Sequence, residues 1–176
     1  MDRLVPHEIT NPFDATLMWV DYKSTSPPEE TRDAYGSPFP RPAFYGDKLF
    51  TFRHKDNPLG RPIAWARLTP EPEEMAVWSG MGVWPEFRGQ GFSTEIRDFA
   101  VAYAFYTYEF FKVSQVRVGV RKTNLDHLEK WLERTGGRSV GTDSPWVYSG
   151  EVWYPLPGYK IFSLTREAYD AARKVR

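Results

Sequence analysis

Apolar residues in the second half of the chain recur at helical spacing in two segments and alternate in the segment between them. Ser93–Phe111 has apolar residues at i, i+3, i+4, i+7 and i+8, with charged residues elsewhere around the wheel, which predicts a long amphipathic helix. Asn124–Arg134 has a stripe of leucines and predicts a second helix, which Gly136-Gly137 ends. Valines at alternate positions of Gln115–Val120 predict a strand between the two helices.

The first half of the chain has shorter apolar runs that are typical of strands. Leu49–Phe52 and Ile63–Leu68 flank the turn sequence Asp56–Gly60, so we expect them to form a hairpin. Met75–Val83 predicts another strand, in which two glycines indicate a bulge or a close approach of another group to the backbone. We also expect a first strand within Ala15–Tyr22, which contains four consecutive apolar residues.

Three further elements follow the second helix: a strand at Arg138–Gly141, a strand near Tyr159–Leu164, and a short terminal helix at Arg166–Lys174. A strand–helix–strand–helix–strand order behind a hairpin-rich first half predicts an α+β (mixed α/β) fold. The chain has 176 residues and no internal repeat, so we expect one domain with a sizeable core.

Proline is concentrated in Lys23–Gly46, which contains five prolines and several charges. Proline at this density cannot maintain a regular helix or a central strand. Because long structureless loops are uncommon unless they are functional, we expect an ordered loop or lid over a site.

Composition excludes several classes of function. Lys and Arg total 23, and so do Asp and Glu, so the chain lacks the basic surplus that nucleic-acid binding requires. There is no cysteine, and the three histidines (His7, His54 and His127) have no metal-ligand spacing, so we expect no metal site. Without a targeting segment or an apolar run of bilayer length, the sequence predicts a soluble, cytoplasmic protein that does not bind membranes.

One turn carries candidate chemistry. Arg88-Gly89-Gln90-Gly91-Phe92-Ser93 lies between a predicted strand and the long helix. Unpaired N–H groups and the positive end of the helix dipole make such a helix start a site for anions, above all phosphate. Glycine lets the backbone approach a ligand and adopt a positive φ. An ordinary glycine-rich helix start is the alternative interpretation.

The order of motifs around this turn resembles the GNAT superfamily of acetyl-CoA-dependent N-acetyltransferases. The family's turn, [QR]-x-x-G-x-[GA], corresponds to Arg88–Ser93, with Ser93 as the last small residue. The family's strand followed by Asn corresponds to Val116–Asn124. The resemblance covers roughly residues 74 to 141, less than half of the chain. It implies a central, mostly antiparallel mixed sheet of six to seven strands, flanked by helices and splayed at the cofactor site.

The resemblance also implies the residues that bind acetyl-CoA. The backbone of Val83 would bond the pantetheine amide, and Asn124 would lie beside the pantetheine arm. The N–H groups of Gly89, Gln90, Gly91, Phe92 and Ser93 would hold the pyrophosphate, with Arg88 shaping or neutralising the site. A plain helix N-cap is the alternative role for Asn124.

The catalytic residues follow less directly, because this chain departs from the family pattern. Trp131 stands where many members have a Tyr that is thought to protonate the leaving thiolate. No carboxylate lies between Val77 and Val83, so Glu74 is the first candidate for a base and His127 for an acid, with Asn124 beside them. For Glu74 and His127, a solvated surface residue is the alternative.

The sequence therefore predicts an N-acetyltransferase that moves an acetyl group from acetyl-CoA to a primary amine, by direct attack in a ternary complex. The acceptor is an amine-bearing small molecule or protein. A catalytically weak or inactive protein of the same fold, binding coenzyme A or a protein partner, is the alternative. The proline-containing loop and the aromatic segment Trp146–Tyr159 are the expected selectivity elements. A homodimer contact would explain the surplus of rings at the end of the long helix.

Overall fold

The computed structural model of the protein describes residues 1–26, 46–121, 125–141, 146–148, 153–155 and 159–174. In chain order the elements are β1 (Leu4–Glu8), α1 (Pro12–Thr25), β2 (Lys48–His54), β3 (Ala64–Glu71), β4 (Ala76–Val83), α2 (Phe92–Tyr106), β5 (Gln115–Arg121), α3 (Leu125–Thr135), β6 (Arg138–Gly141), β7 (Trp146–Tyr148), β8 (Trp153–Pro155), β9 (Tyr159–Thr165) and α4 (Arg166–Lys174). Short 3₁₀ turns, Pro72–Glu74 and Pro85–Phe87, precede β4 and α2.

Seven strands form one mixed sheet in the order β1-β2-β3-β4-β5-β9-β6, and β7 and β8 form a separate pair. The β1–β2, β2–β3, β5–β9 and β6–β9 pairs are antiparallel, whereas β4 and β5 are parallel. The predicted mixed sheet with helices is thus confirmed. Among the described residues, the β4–β5 ladder has only three residue pairs, from Ala76–Gln115 to Trp78–Arg117. A ladder this short between longer strands agrees with the predicted splay.

The chain divides into two compact units. The first consists of Met1–Thr69 and Gly80–Tyr103, and the second of Pro70–Ser79 and Ala104–Arg176. The expectation of one domain over residues 1–176 stays a prediction.

The core of the first unit lies where β2 meets α2. Phe50 and Phe52 alternate along β2 and both are buried. Their rings make edge contacts with Phe99 of α2, with ring centroids 5.1 and 5.3 Å apart. Tyr103, one turn later in α2, contacts Phe50 at 4.8 Å. The predicted amphipathic face of α2 is therefore the face that packs on the sheet.

The predicted strand Ala15–Tyr22 is wrong, because this segment lies in α1. The reason is the start signal just before it: the Asn11 side chain accepts a hydrogen bond from the Phe13 N–H at 2.9 Å, and Pro12 occupies the first turn. Apolar residues then occupy two opposite faces of the helix. Met18, Trp19 and Tyr22 are buried, whereas the stripe Phe13, Leu17 and Val20 on another face is exposed.

Four rings from α1, β3 and the end of β4 pack together, and we call them the aromatic cluster: Trp19, Tyr22, Trp65 and Trp84. The Trp19–Trp65 and Tyr22–Trp84 rings meet edge to face, at 4.6 and 5.1 Å. Gly82 lies directly against these rings, since a Cβ at this position would lie 2.4 Å from Trp65 Nε1 and 2.6 Å from the Tyr22 hydroxyl. The predicted close approach to the β4 backbone is confirmed.

Asp21 links the aromatic cluster to two surface charges. Its carboxylate accepts a hydrogen bond from Trp84 Nε1 at 2.8 Å, and Arg61 Nη2 lies 3.0 Å from both of its oxygens. The other terminal nitrogen of Arg61 bonds Glu86, in the 3₁₀ turn after β4. Asp21 therefore fixes the end of β4, where the candidate site begins.

We expect Asp21→Ala to lower the free energy of unfolding by about 1–3 kcal/mol, because the buried Trp84 N–H loses its acceptor. Asp21→Asn is the matched control. It keeps a carbonyl oxygen for Trp84 and loses only the charge on a largely exposed ion pair, which contributes roughly 0–1 kcal/mol. Urea unfolding of both variants measures the difference. Equal losses in the two variants would show that the indole hydrogen bond contributes little.

Most of the other predicted elements are confirmed with small shifts in their ends, but α2 stops at Tyr106 rather than Phe111. Among the rings at the end of that segment, Phe105 and Tyr108 are buried, whereas Tyr106 and Phe110 are 46% and 39% exposed. Core packing thus explains some of the aromatic residues at the end of this segment. The homodimer contact expected there stays a prediction. The proline-containing loop predicted for Lys23–Gly46 lies, from residue 27 to 45, outside the described residues.

Candidate coenzyme site

The predicted anion turn forms a tight connection between β4 and α2. The 3₁₀ turn ends at Arg88, whose backbone is extended, and Gly89 and Gly91 follow with φ of +75° and +79°. Only glycine adopts this region freely, so the two spaced glycines allow the turn that precedes α2, which begins at Phe92.

The backbone N–H groups of this turn are open. Within the described residues, no protein acceptor is recorded for the N–H groups of Gly89, Gln90, Gly91, Phe92 and Ser93. Successive free N–H groups at the start of a 15-residue helix, together with the positive end of its dipole, favour an anion. There is also room for a ligand: a Cβ at Gly89 would meet nothing within 4 Å, and one at Gly91 would meet only Arg3 Nη2, at 3.6 Å.

Two cationic side chains flank the turn. Arg88 Nε donates to the carbonyl oxygen of Val83 at 3.0 Å, which fixes the end of β4. This bond occupies one acceptor position of Val83, the residue predicted to bond the pantetheine amide. Together the charges and the N–H groups fit the pyrophosphate of coenzyme A.

Arg3 is the second cation, and no motif in the sequence predicts it. Its Nε bonds Glu95 Oε1 at 2.5 Å, its Nη1 donates to the Gln90 carbonyl oxygen at 2.9 Å, and its guanidinium carbon lies 4.4 Å from the centroid of the Phe92 ring. Asp2 and Arg3 also donate their backbone N–H groups to Glu95. No motif joins residues so distant in sequence, and an Arg before a short strand is a common surface residue.

Glu95, in the first turn of α2, is held as a carboxylate. Burial of its side chain is the largest influence and raises the pKa. The hydrogen bonds from the backbone and side chain of Arg3, with the Arg3 charge, outweigh burial and lower the pKa below its usual value. A carboxylate at this position also suits the helix dipole. Glu95 is thus a fixed anionic partner that orients Arg3.

Glu74, the candidate base, lies in the 3₁₀ turn before β4 and is engaged by an ion pair. Arg117 of β5 bonds both Glu74 and Glu71, and Trp78 Nε1 donates to Glu71 at 3.0 Å. Burial raises the pKa of Glu71. The charge of Arg117 opposes this rise, and the charge of Glu74 adds to it. The ion pair gives Glu74 a structural role, and its role as a base stays a prediction.

The other two catalytic candidates lie at the beginning of α3. Asn124 falls outside the described residues, and His127 lies in α3 but its side chain is not among those described. Trp131, at the usual Tyr position, is 2% exposed and belongs to the core. The roles of Asn124 and His127 stay predictions.

The structure adds two negative findings for its described part. No group of three His, Cys, Asp or Glu side chains there could hold a metal ion. None of the helices there combines the length and hydropathy that a bilayer crossing requires.

Comparison with solved structures shows the same fold at low sequence identity. Spermidine N-acetyltransferase from Vibrio cholerae in complex with CoA and spermine superimposes with a TM-score of 0.67, at 12% identity, over 96% of this chain and 99% of that chain. A dodecameric structure of that protein in an intermediate state gives 0.67 at 12% identity, covering 96% and 97%. None of the curated proteins is significantly similar to this sequence.

The family model "Acetyltransferase (GNAT) family" matches residues 15–125, which is more than half of the 176-residue chain. The match includes β4, the turn Arg88–Ser93 and β5. The resemblance on which the sequence analysis relied is confirmed. The chain belongs to the acetyltransferase (GNAT) family, which makes it an acetyl-CoA-dependent N-acetyltransferase.

Proposed function

We propose that the protein transfers the acetyl group of acetyl-CoA to a primary amine by direct attack in a ternary complex. The observation that carries this proposal is the turn of five open N–H groups, Gly89–Ser93, between β4 and α2. It gives the pyrophosphate of acetyl-CoA a fixed binding place, so the thioester is positioned by the chain rather than by diffusion. Acetyl-CoA supplies the activated acyl group, and the protein supplies orientation and proton transfer.

In the reaction, the amine nitrogen attacks the thioester carbonyl carbon and the carbon–sulfur bond breaks. The amine loses a proton, and the departing thiolate gains one. General acid–base help in such steps is worth about 10²–10⁴-fold, so positioning carries much of the rate. The absence of cysteine makes a thiol-bound acetyl intermediate on the protein unavailable, which supports direct attack.

For the proton donor, we propose Tyr22 of the aromatic cluster in place of the missing Tyr. Its side chain is 4% exposed, and its hydroxyl points at the backbone of Gly82, next to Val83. Within the described residues, no hydrogen-bond partner is recorded for this hydroxyl. The phenol is a hydrogen-bond donor, and in the proposed step it would pass its proton to the departing thiolate.

The names of the fold neighbours suggest which amines to test first. The structural neighbours are named as spermidine N-acetyltransferases, so the polyamines spermidine and spermine are the first amines to test. At 12% identity the likeness shows the fold alone, and the acceptor for this chain is an open choice among amines, peptides and proteins.

The experiment is isothermal titration of the protein with acetyl-CoA, followed by an acetylation assay over a panel of polyamines, simple primary amines and peptides. We expect binding and acetylation of at least one primary amine. No binding at millimolar acetyl-CoA would refute the function. Binding without acetylation of any acceptor would favour the alternative, an inactive protein of this fold.

Two variants in the same assay test the proton-transfer roles. Tyr22→Phe keeps the ring and removes the hydroxyl, and we expect kcat to fall by about 10²-fold with the Kd for acetyl-CoA unchanged. Glu74→Gln in the same assay tests the predicted base, and we expect kcat to fall by about 10²-fold with the Kd for acetyl-CoA unchanged. A kcat within about threefold of wild type would leave Glu74 with the Arg117 ion pair alone, and the same result for Tyr22→Phe would make Tyr22 a packing residue.

A further inference from the structure

Arg3 lies against the coenzyme turn in an arrangement that orients its guanidinium group. Nε is held by Glu95 at 2.5 Å and Nη1 by the Gln90 carbonyl oxygen at 2.9 Å, while the Phe92 ring lies 4.4 Å from the guanidinium carbon. Rotation of the group would break at least one of these contacts. The plane and direction of the guanidinium are therefore fixed before any ligand arrives.

The third nitrogen, Nη2, has no recorded partner within the described residues. It lies 3.6 Å from the Cβ position of Gly91, on the side of the turn where nothing else approaches that position within 4 Å. The Arg3 side chain is 43% exposed, so this nitrogen is accessible to a ligand. One face of the guanidinium is thus bound to the protein and one edge is left open beside the turn.

The electrostatics of this placement favour an anionic ligand. A cation beside a helix N-terminus is repelled by the dipole, and here the carboxylate of Glu95 compensates for it. Arg88 adds a second positive charge beside the same turn. Two guanidinium groups and five open N–H groups around one turn match a ligand with several phosphate charges. Arginine also suits phosphate, since its planar donors pair with phosphate oxygens.

We propose that Arg3 is a coenzyme-binding residue that donates from Nη2 to a phosphate of acetyl-CoA held at the turn. The proposal rests on the proposed function, and it adds a residue from outside the family's motif. The phosphate is either the pyrophosphate or the 3′-phosphate of the coenzyme. Both offer the same oxygen acceptors, and the choice of ligand in the experiment separates them.

The test measures the Kd of the full-length protein for acetyl-CoA and for acetyl-3′-dephospho-CoA by isothermal titration, at several salt concentrations. We expect Arg3→Met to weaken acetyl-CoA binding by roughly 10–100-fold, since one charge-assisted contact is lost. If the contact is to the 3′-phosphate, the same variant binds the dephospho ligand as wild type does. If it is to the pyrophosphate, both ligands weaken equally.

A contact to phosphate differs from a mere brace of the turn in its salt dependence. Loss of a direct ion pair with the ligand makes log Kd less sensitive to salt, because dissolved ions screen such pairs, whereas loss of a purely structural contact leaves that dependence unchanged. Arg3→Lys keeps the positive charge but loses the bonds to Glu95 and Gln90 that orient the guanidinium. Its Kd for acetyl-CoA should therefore lie between those of the wild type and Arg3→Met. It serves as the second variant if Arg3→Met unfolds. Lys55→Met is the matched control, because it removes one exposed charge whose recorded partner, within the described residues, is the Met1 carbonyl oxygen.

The outcomes are distinct. A wild-type protein that binds no acetyl-CoA refutes the proposed function, and the role of Arg3 with it. Wild-type binding, with Arg3→Met and Lys55→Met both within twofold of it, refutes the role of Arg3 alone. A weaker Kd with an unchanged salt slope also overturns the proposal, in favour of a structural brace.

Discussion

Gly82→Ala should lower the free energy of unfolding by about 3 kcal/mol, near the upper end of the cost of overpacking a core. The added methyl group would lie 2.4 Å from Trp65 Nε1 and 2.6 Å from the Tyr22 hydroxyl, which is closer than real Cβ contacts come. Neither ring can move aside easily, because Trp65 is packed against Trp19 and Tyr22 against Trp84. For a chain of this length, the loss corresponds to a fall in Tm of about 6–12 °C.

Gly80→Ala is the matched control for this prediction. Gly80 lies two residues earlier on the same face of β4, and its Cβ would meet the same Trp65 ring at 3.8 Å, an ordinary van der Waals distance. We expect Gly80→Ala to change the stability by less than about 1 kcal/mol. Thermal unfolding of both variants checks the pair. Equal stability of the two would mean that the aromatic cluster can repack around β4.

Gly91→Val should weaken acetyl-CoA binding by about 100-fold or more. Gly91 has a φ of +79°, which costs an L-residue roughly 1–2 kcal/mol and a β-branched residue more. The turn would relax by rotating its peptide units, and N–H groups would then point away from the pyrophosphate. Charge-assisted hydrogen bonds contribute about 1.5–3 kcal/mol each, so the loss of two accounts for the effect. Isothermal titration with acetyl-CoA measures it.

Weaker binding by Gly91→Val could come from backbone strain alone or from loss of the binding site. Gly46→Val is the control that separates these two explanations. Gly46 has a φ of +88° and lies outside the turn. Both variants should lose stability, but only Gly91→Val should lose affinity. If Gly46→Val weakens acetyl-CoA binding as much as Gly91→Val, the effect is a general loss of folding and the turn is not the binding place.

The regular elements near the family motif were predictable because local signals and periodicity agree there. The alternation in β5, the leucine stripe of α3 and the start of α4 at Arg166 all follow from spacing alone. Gly136 ends α3 with a φ of +79°, as the paired glycines indicated. These are segments in which one face is apolar and the other is not.

Helix α1 was misread because it lacks that contrast. Apolar residues occupy both its buried side, at Trp19 and Tyr22, and its exposed side, at Leu17 and Val20, so no helical period stands out. The Asn11-Pro12 start was the available signal, and a four-residue apolar run outweighed it. The end of α2 was misplaced for a related reason, since the rings after Tyr106 continue the apolar run without continuing the helix.

In the candidate site, too, the features formed by adjacent residues were predictable, whereas contacts between residues far apart in the sequence were not. The glycine turn is a local motif, so the sequence located the turn and predicted an anion as its ligand. Its supporting partners come from elsewhere in the chain: Arg3 precedes β1, and Tyr22 and Asp21 belong to α1. Contacts of this kind are fixed by tertiary packing, which leaves no periodic trace in the sequence.

The Arg3–Glu95 pair also has a consequence for the order in which the molecule assembles. The two residues are 92 positions apart, so their bond closes a long loop and belongs to the slow, high-contact-order part of folding. During synthesis, Arg3 is added before Glu95, so the bond can form only after Glu95 has been added. The glycine turn is encoded within six residues, but its completed form, with Arg3 in place, is a late product of folding.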